Sequence, residues 1–234
     1  MALFAIGDTH LSLGADKSME VFRGWENYVE RLEKNWRAVV SDEDTVVIDG
    51  DISWGMHLDD CEKDFAFLHA LPGRKLLIKG NHDYWWETRR KIDRFLEEHR
   101  FTSMQVVFND AVRVGDLTVC GSRGWFFDDE SADTLKVLNR ERQRLIRSIE
   151  SAQSGTTPVV FLHYPPVMDG RRCEEIFSVL TEYGIRRCYF GHIHGDTTGR
   201  YDDFTEDGVR FSLIAADRLK FCPKLVSRDL DFVQ

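Results

Sequence analysis

Short apolar runs that break off at a glycine, an acid or a histidine constrain this chain more than any other feature. The runs at 3–6, 45–48, 76–78, 159–162 and 188–190 end in Gly7-Asp8-Thr9-His10, Asp49-Gly50-Asp51, Gly80-Asn81-His82-Asp83, His163 and Gly191-His192-Ile193-His194. Runs this short and this apolar read as strands covered on both faces. Between them lie amphipathic stretches of helical period. Over 19–40 the residues Phe22, Trp25, Val29, Leu32, Trp36 and Val39 recur every three or four positions, which predicts one helix. Further helices are expected near 60–71, where Pro72-Gly73 stops the pattern, and near 87–99, 134–152 and 173–183. In the middle, runs at 106–108, 112–114 and 117–120 are split by Asn109-Asp110 and Gly115-Asp116, which predicts antiparallel hairpins. Strands are expected again at 209–215 and 225–226. The pattern is α/β, with a central pair of sheets covered by helices. No linker, repeat or low-complexity tract divides it, so residues 1–234 are read as one domain.

The placement of the polar residues matters more than their identity. An isolated Asp-x-His or Gly-Asp is ordinarily a turn, and an isolated His163 a core histidine. Here Asp8, Asp51, Asn81, His163 and His192 each follow a predicted strand, and open α/β sheets bind ligands at that carboxyl edge. Carboxylate, imidazole and carboxamide donors without thiolates suit Mn, Fe, Co or Zn. A pair of metals needs a bridging ligand, and a carboxylate has two oxygens to supply.

The ordered set D-x-H, G-D, G-N-H-D, H and G-H-x-H resembles the calcineurin-like metallophosphoesterases over positions 8 to 194. The resemblance implies a four-layer αββα fold, with two mixed β-sheets packed as a sandwich and flanked by helices. It implies two divalent or trivalent metal ions (Mn, Fe or Zn). Asp8, His10 and His194 would hold one; Asn81, His163 and His192 the other; Asp51 would bridge them. Asp51 is preferred to Asp49 because it follows the glycine, as in the family. His82 would face the substrate as general acid, with Asp83 accepting its second ring N–H. A hydroxide bridging the metals would attack phosphorus in line, so that mono- or diesters of phosphate are hydrolysed.

Substrate-binding candidates are Arg123, Trp54, Tyr84 and Trp125; the aromatics Trp54, Tyr84, Trp85, Trp86, Phe126 and Phe127 all flank motif loops. The expected partner is a small-molecule or nucleotide phosphate ester. A net charge of −9 argues against duplex nucleic acid, and the absence of an 18-residue apolar run argues against a membrane span. Five scattered cysteines without a CxxC pair, behind a start lacking signal-peptide features, lead us to expect a cytoplasmic protein with free thiols. Protein Ser/Thr phosphatases are disfavoured because Gly50-Asp51-Ile52-Ser53-Trp54-Gly55 lacks their Asp-Arg pair. Lipid A pathway hydrolases are disfavoured because they carry Arg where His82 stands. Two alternatives stay open: a nuclease for single strands, and a non-catalytic scaffold on the same fold. The scaffold would be expected to have lost ligands.

Overall fold

The computed structural model describes residues 1–126 and 132–226. The strands are β1 (Leu3–Ile6), β2 (Thr45–Asp49), β3 (Arg74–Ile78), β4 (Met104–Val106), β5 (Ala111–Val114), β6 (Leu117–Ser122), β7 (Thr157–Leu162), β8 (Val167–Met168), β9 (Arg171–Arg172), β10 (Arg187–Phe190), β11 (Phe204–Glu206), β12 (Val209–Leu213) and β13 (Lys224–Leu225). The α-helices are α1 (Tyr28–Val39), α2 (Glu62–Ala70), α3 (Arg89–Glu98), α4 (Ala132–Glu150) and α5 (Glu174–Glu182). One sheet has the order β13-β1-β2-β3-β4 and the other β11-β12-β10-β7-β6-β5, while β8 and β9 form a separate ribbon. Both sheets are parallel at the centre, with antiparallel edges at β13, β11 and β5.

Alternation along the strands builds the layers. Phe4, Ile6, Val46, Ile48 and Leu77 point outward to Leu32, Trp36, Phe65, Leu68 and Phe95 of α1, α2 and α3. Their neighbours Leu3, Ala5, Val47, Leu76 and Ile78 point inward and meet Val119, Val159, Phe161 and Tyr189 of the second sheet. The outer face of that sheet packs on Leu138, Leu145, Ile176 and Leu180 of α4 and α5. The result is the expected αββα sandwich. Burying apolar residues on both faces of the central strands is what a period of two achieves.

Two sequence expectations are corrected. The run near 106–108 is not a hairpin arm: β4 pairs in parallel with β3, and of these three runs the two that form a hairpin are β5 and β6, across Gly115-Asp116. Asn109-Asp110 therefore lies where the chain crosses between the sheets. The long helix over 19–40 is shortened to α1, after a single 3-10 turn at Met19–Val21. Asn27 has φ 51° and Gly24 φ 92°, so the helix cannot extend through them, and Phe22 is exposed. Among the described residues no helix is long and apolar enough to cross a membrane, and all five cysteines are free.

One buried cation in the first sheet gives a measurable consequence. The side chain of Lys75 is fully covered, its ammonium donating to the Leu71 carbonyl and, at 3.4 Å, to Ser103 Oγ. Burial pushes it down to about 8. Between pH 8 and the ordinary lysine value the folded chain has released a proton that the unfolded chain still holds, so this group makes stability rise with pH there. Against Lys75→Met, wild type should gain relative stability across that window with a slope of up to about 1.4 kcal/mol per pH unit. Urea denaturation at several pH values tests this; parallel curves for the two proteins would contradict it.

Candidate metal centre

Each motif follows a strand, and backbone hydrogen bonds stitch the resulting loops together. Asp8 N–H donates to the Gly50 carbonyl at 2.9 Å, His10 N–H to Asp51 at 2.8 Å, Leu11 N–H to Ile52 at 2.9 Å and Gly191 N–H to His163 at 3.2 Å. Loops so joined cannot place their side chains independently. Asp8, His10, Asp51 and His192 all have positive φ, between 43° and 68°. Asp and His tolerate this region better than most residues, and such conformations cluster at functional sites. Gly80 and Gly191 are required by close approach. A Cβ on Gly80 would strike the Asp51 backbone and carboxylate, and one on Gly191 would strike the Asp8 carboxylate.

All seven expected ligands converge. The ligand atoms of Asp8, His10 and His194 lie within 4.8 Å of one another, as do those of Asp8, Asp51 and His163. His10 Nε2 is 3.2 Å from His194 Nε2, and His194 Nε2 is 3.5 Å from Asp8 Oδ1. Asn81 Oδ1 sits 2.7 Å from His163 Nε2 and 3.0 Å from His192 Nδ1. Between the two groups stands Asp51, with Oδ2 3.5 Å from His163 Nε2 and 3.7 Å from His10 Nε2. The His192 amide donates to the Asp8 carboxylate and the His82 amide to Asp51 Oδ1 at 2.7 Å, so backbone fixes both acids.

The electrostatics fit a cation. Burial alone would lower all four imidazoles. His10 and His192 do fall to about 4, but Asp51, Asp8 and Asp49 hold His163 at about 10, and Asp8 and Asp217 hold His194 at about 10. Burial works to raise Asp51, yet His163 and His10 keep it far below the ordinary carboxylate value. The carboxylates thus set up a field that favours positive charge at this position, as it would favour a metal ion. It is His10 Nε2 that faces His194 and Asp51, while Nδ1 is buried with no partner among the described residues. Carboxylates, imidazoles and a carboxamide with no thiolate suit a first-row ion, and these residues could hold a metal.

His82 is half buried at the rim. Its ring lies 4.8 Å from Trp54, which itself stacks on His10 at 4.8 Å and 24°. Its Nδ1 is 3.2 Å from Tyr84 Oη. Burial, followed by Lys17 and His163, lowers His82 against the pull of Asp51. The role expected of Asp83 is corrected. Its Oδ1 accepts from the Ile52 amide at 2.8 Å and from Trp85 Nε1 at 3.0 Å, and its Oδ2 from the Gly80 amide at 2.7 Å. Those donors come from two motif loops, so Asp83 ties the loops together, and Tyr84 is the group that meets the His82 ring. Burial and the nearby Asp51 charge raise Asp83 to about 6.

The remaining candidates divide. Trp54 and Tyr84 border His82. Trp125 lies 5.5 Å from Tyr164, whose ring is 4.4 Å from His192. Arg123 lines a neighbouring cavity that none of the expected metal ligands lines. Trp85 belongs to the hydrophobic core, Phe126 is buried, and Phe127 falls outside the described residues. Asp49, which faces inward beside Val47, is fully buried with both carboxylate oxygens unpartnered, and burial raises it well above the ordinary value. It is therefore neither solvated nor a competitor for the position of Asp51.

Two residues escaped the sequence. Lys17 holds its ammonium 3.2 Å above the Trp54 ring, next to His82, from an exposed loop with no motif. Asp217, just beyond β12, accepts from His194 Nδ1 at 3.1 Å and from the Gly195 amide at 2.9 Å. A carboxylate following a strand-like run was its only signal. A carboxylate behind a ligating imidazole fixes its orientation and raises its basicity, so Asp217→Asn should weaken metal affinity or turnover roughly 10- to 100-fold. Metal titration of the variant tests this, and wild-type affinity would contradict it.

The family model for calcineurin-like phosphoesterases matches residues 1–196. No curated protein matches the chain. Among solved structures, phosphopantetheinyl hydrolase from Mycobacterium tuberculosis is similar over 100% of this chain and 98% of its own, with TM-score 0.60 and 14% identity. A protein of Thermus thermophilus, TT1561, is similar over 90% of this chain and 87% of its own, with TM-score 0.52 and 12% identity. At these identities the likeness speaks to the fold.

Proposed function

The chain belongs to the calcineurin-like phosphoesterase family, metal-dependent hydrolases of phosphoric esters, and on that premise we propose a dinuclear centre that cleaves phosphate mono- or diesters. The observation that carries this reading is Asp51, set between an Asp8–His10–His194 group and an Asn81–His163–His192 group. Asp8, His10 and His194 would hold one ion, Asn81, His163 and His192 the second, and Asp51 both. Manganese, iron or zinc ions would lower the pKa of the attacking water and neutralise charge on the phosphoryl oxygens.

The chain's own residues supply the rest. Trp54 packs on one side of His82, and Tyr84 Oη meets its Nδ1, which leaves Nε2 to serve the leaving-group oxygen. A lowered pKa makes the protonated ring the stronger donor. Lys17, held over Trp54, would add positive charge where the ester oxygens accumulate negative charge. Asp83 keeps the loops of Asp51 and Asn81 in register, and Asp217 aims His194. We read residues 1–234 as one domain, because β12 and β13, beyond the span of the family match, complete the two sheets.

A manganese-supplemented assay comparing p-nitrophenyl phosphate, bis-p-nitrophenyl phosphate and cyclic nucleotides tests the reading. Hydrolysis of at least one, abolished by chelator, is expected. No turnover of any of them, or turnover indifferent to chelator, would contradict it.

A further inference from the structure

A cavity of about 360 Å³ opens at the same carboxyl edge, between the end of β3 at Ile78 and Lys79 and the end of β6 at Gly121 to Arg123. Helix α4 contributes Glu141 and Arg144, and Trp86 and Phe108 contribute aromatic rings. Three cations line it: Lys79, Arg123 and Arg144. In a chain of net charge −9 such a cluster is against the trend. Of the two acids in the lining, Glu87 pairs with Lys91, outside the cavity. Among the described residues buried Glu141 is the lining carboxylate that meets this cluster, and Asp83 also bears on Lys79, so two acids face three cations. Glu141 Oε1 takes Arg144 Nη1 at 2.5 Å and Arg123 Nη2 at 3.5 Å, while Oε2 has no partner among the described residues. Arg123 Nε is likewise buried with no hydrogen-bond partner among the described residues, while its guanidinium lies 4.8 Å from the Trp125 ring centroid. A purely structural ion pair would match one cation to one acid and leave no buried N–H unmade, since such groups are ordinarily satisfied.

The surroundings narrow the ligand. Guanidinium groups match phosphate oxygens in paired hydrogen bonds. The Trp86 and Phe108 rings, stacked on each other within 10° at a centroid separation of 6.2 Å, both line the cavity and give it an aromatic border against which a heterocyclic ring can pack. A volume of this size falls in the range for small-ligand sites. The cavity is also tied to the metal centre through the chain. Lys79 stands two residues before Asn81, and the Arg123 carbonyl accepts the amide of Tyr164, the neighbour of His163.

Resting on the phosphoesterase reading above, we propose that this cavity binds the non-reacting part of the substrate, and that this part is a nucleotide: a phosphate held by Arg123, Arg144 and Lys79, with the base against Trp86 and Phe108. The substrate is then a phosphate ester that carries a second phosphate beyond the one cleaved.

The probe is adenosine 3′,5′-bisphosphate, with inorganic phosphate as reference, both titrated calorimetrically into the manganese-loaded protein. The bisphosphate should bind roughly 10- to 100-fold more tightly than phosphate, the scale of a charge-assisted hydrogen bond or two. Arg144 is half exposed on α4, so Arg144→Ala is expected to fold; it should collapse that ratio toward one, and Arg144→Lys should restore part of it. A general loosening of the fold would not move the ratio. Equal affinities in wild type, or an unchanged ratio in Arg144→Ala, would overturn the proposal while p-nitrophenyl ester turnover keeps the phosphoesterase reading intact. Absence of both phosphate binding and ester turnover would overturn that reading as well, and the proposal with it.

Discussion

Asp51→Asn should fold normally, lose bound metal and lower turnover on the order of 10³-fold. The substitution keeps the side chain's shape, and asparagine accepts the left-handed backbone (φ 48°) as readily as aspartate. The remaining oxygen can still receive the His82 amide, which now meets Asp51 Oδ1 at 2.7 Å. What disappears is the negative charge between His163 and His10, together with the second oxygen that a bridging role needs. Thermal denaturation, metal content and turnover measured on one preparation separate these effects. If Asp51→Asn keeps its metal and its activity, Asp51 does not join the two ligand groups.

His82→Ala should give the complementary result. The His82 ring touches Tyr84, Trp54 and His10, while its backbone amide holds Asp51; only the ring is removed. Metal content should therefore stay at the wild-type level while turnover falls by about two to four orders of magnitude, the usual scale for a general acid. Tyr84→Phe, which removes only the hydroxyl at Nδ1, should do less. Unchanged turnover in His82→Ala would take this residue out of the chemistry, and loss of metal would make it a ligand or a support for one.

How far these roles were legible in the sequence depends on how local their causes are. The ligands were legible because a strand's carboxyl end is a geometric address: Gly7-Asp8, Gly50-Asp51, Gly80-Asn81, His163 and Gly191-His192 are read one after another along the chain, and parallel pairing brings them together. The sandwich was legible for the same reason, since the runs at 3–6, 46–48, 76–78 and 159–162 are wholly apolar and need cover on both faces. What escaped was non-local. β4 looks like a hairpin arm until β3 claims it in parallel, and short apolar runs do not declare their partners. The break before α1 lies in left-handed Gly24 and Asn27, within a stripe whose spacing continues through them. Asp83 carries the sequence mark of a histidine's partner, yet burial beside the Ile52, Gly80 and Trp85 donors gives it a different task. Asp217 and Lys17 meet His194 and Trp54 only after the chain has folded, across 23 and 37 residues respectively.

The central claim is that two ligand groups joined by Asp51 hold a pair of metal ions. Its most direct test is plasma mass spectrometry on protein purified without chelator and then equilibrated with manganese. About two transition-metal ions per chain are predicted. A wild-type protein that retains none, or that saturates at one, would contradict the account.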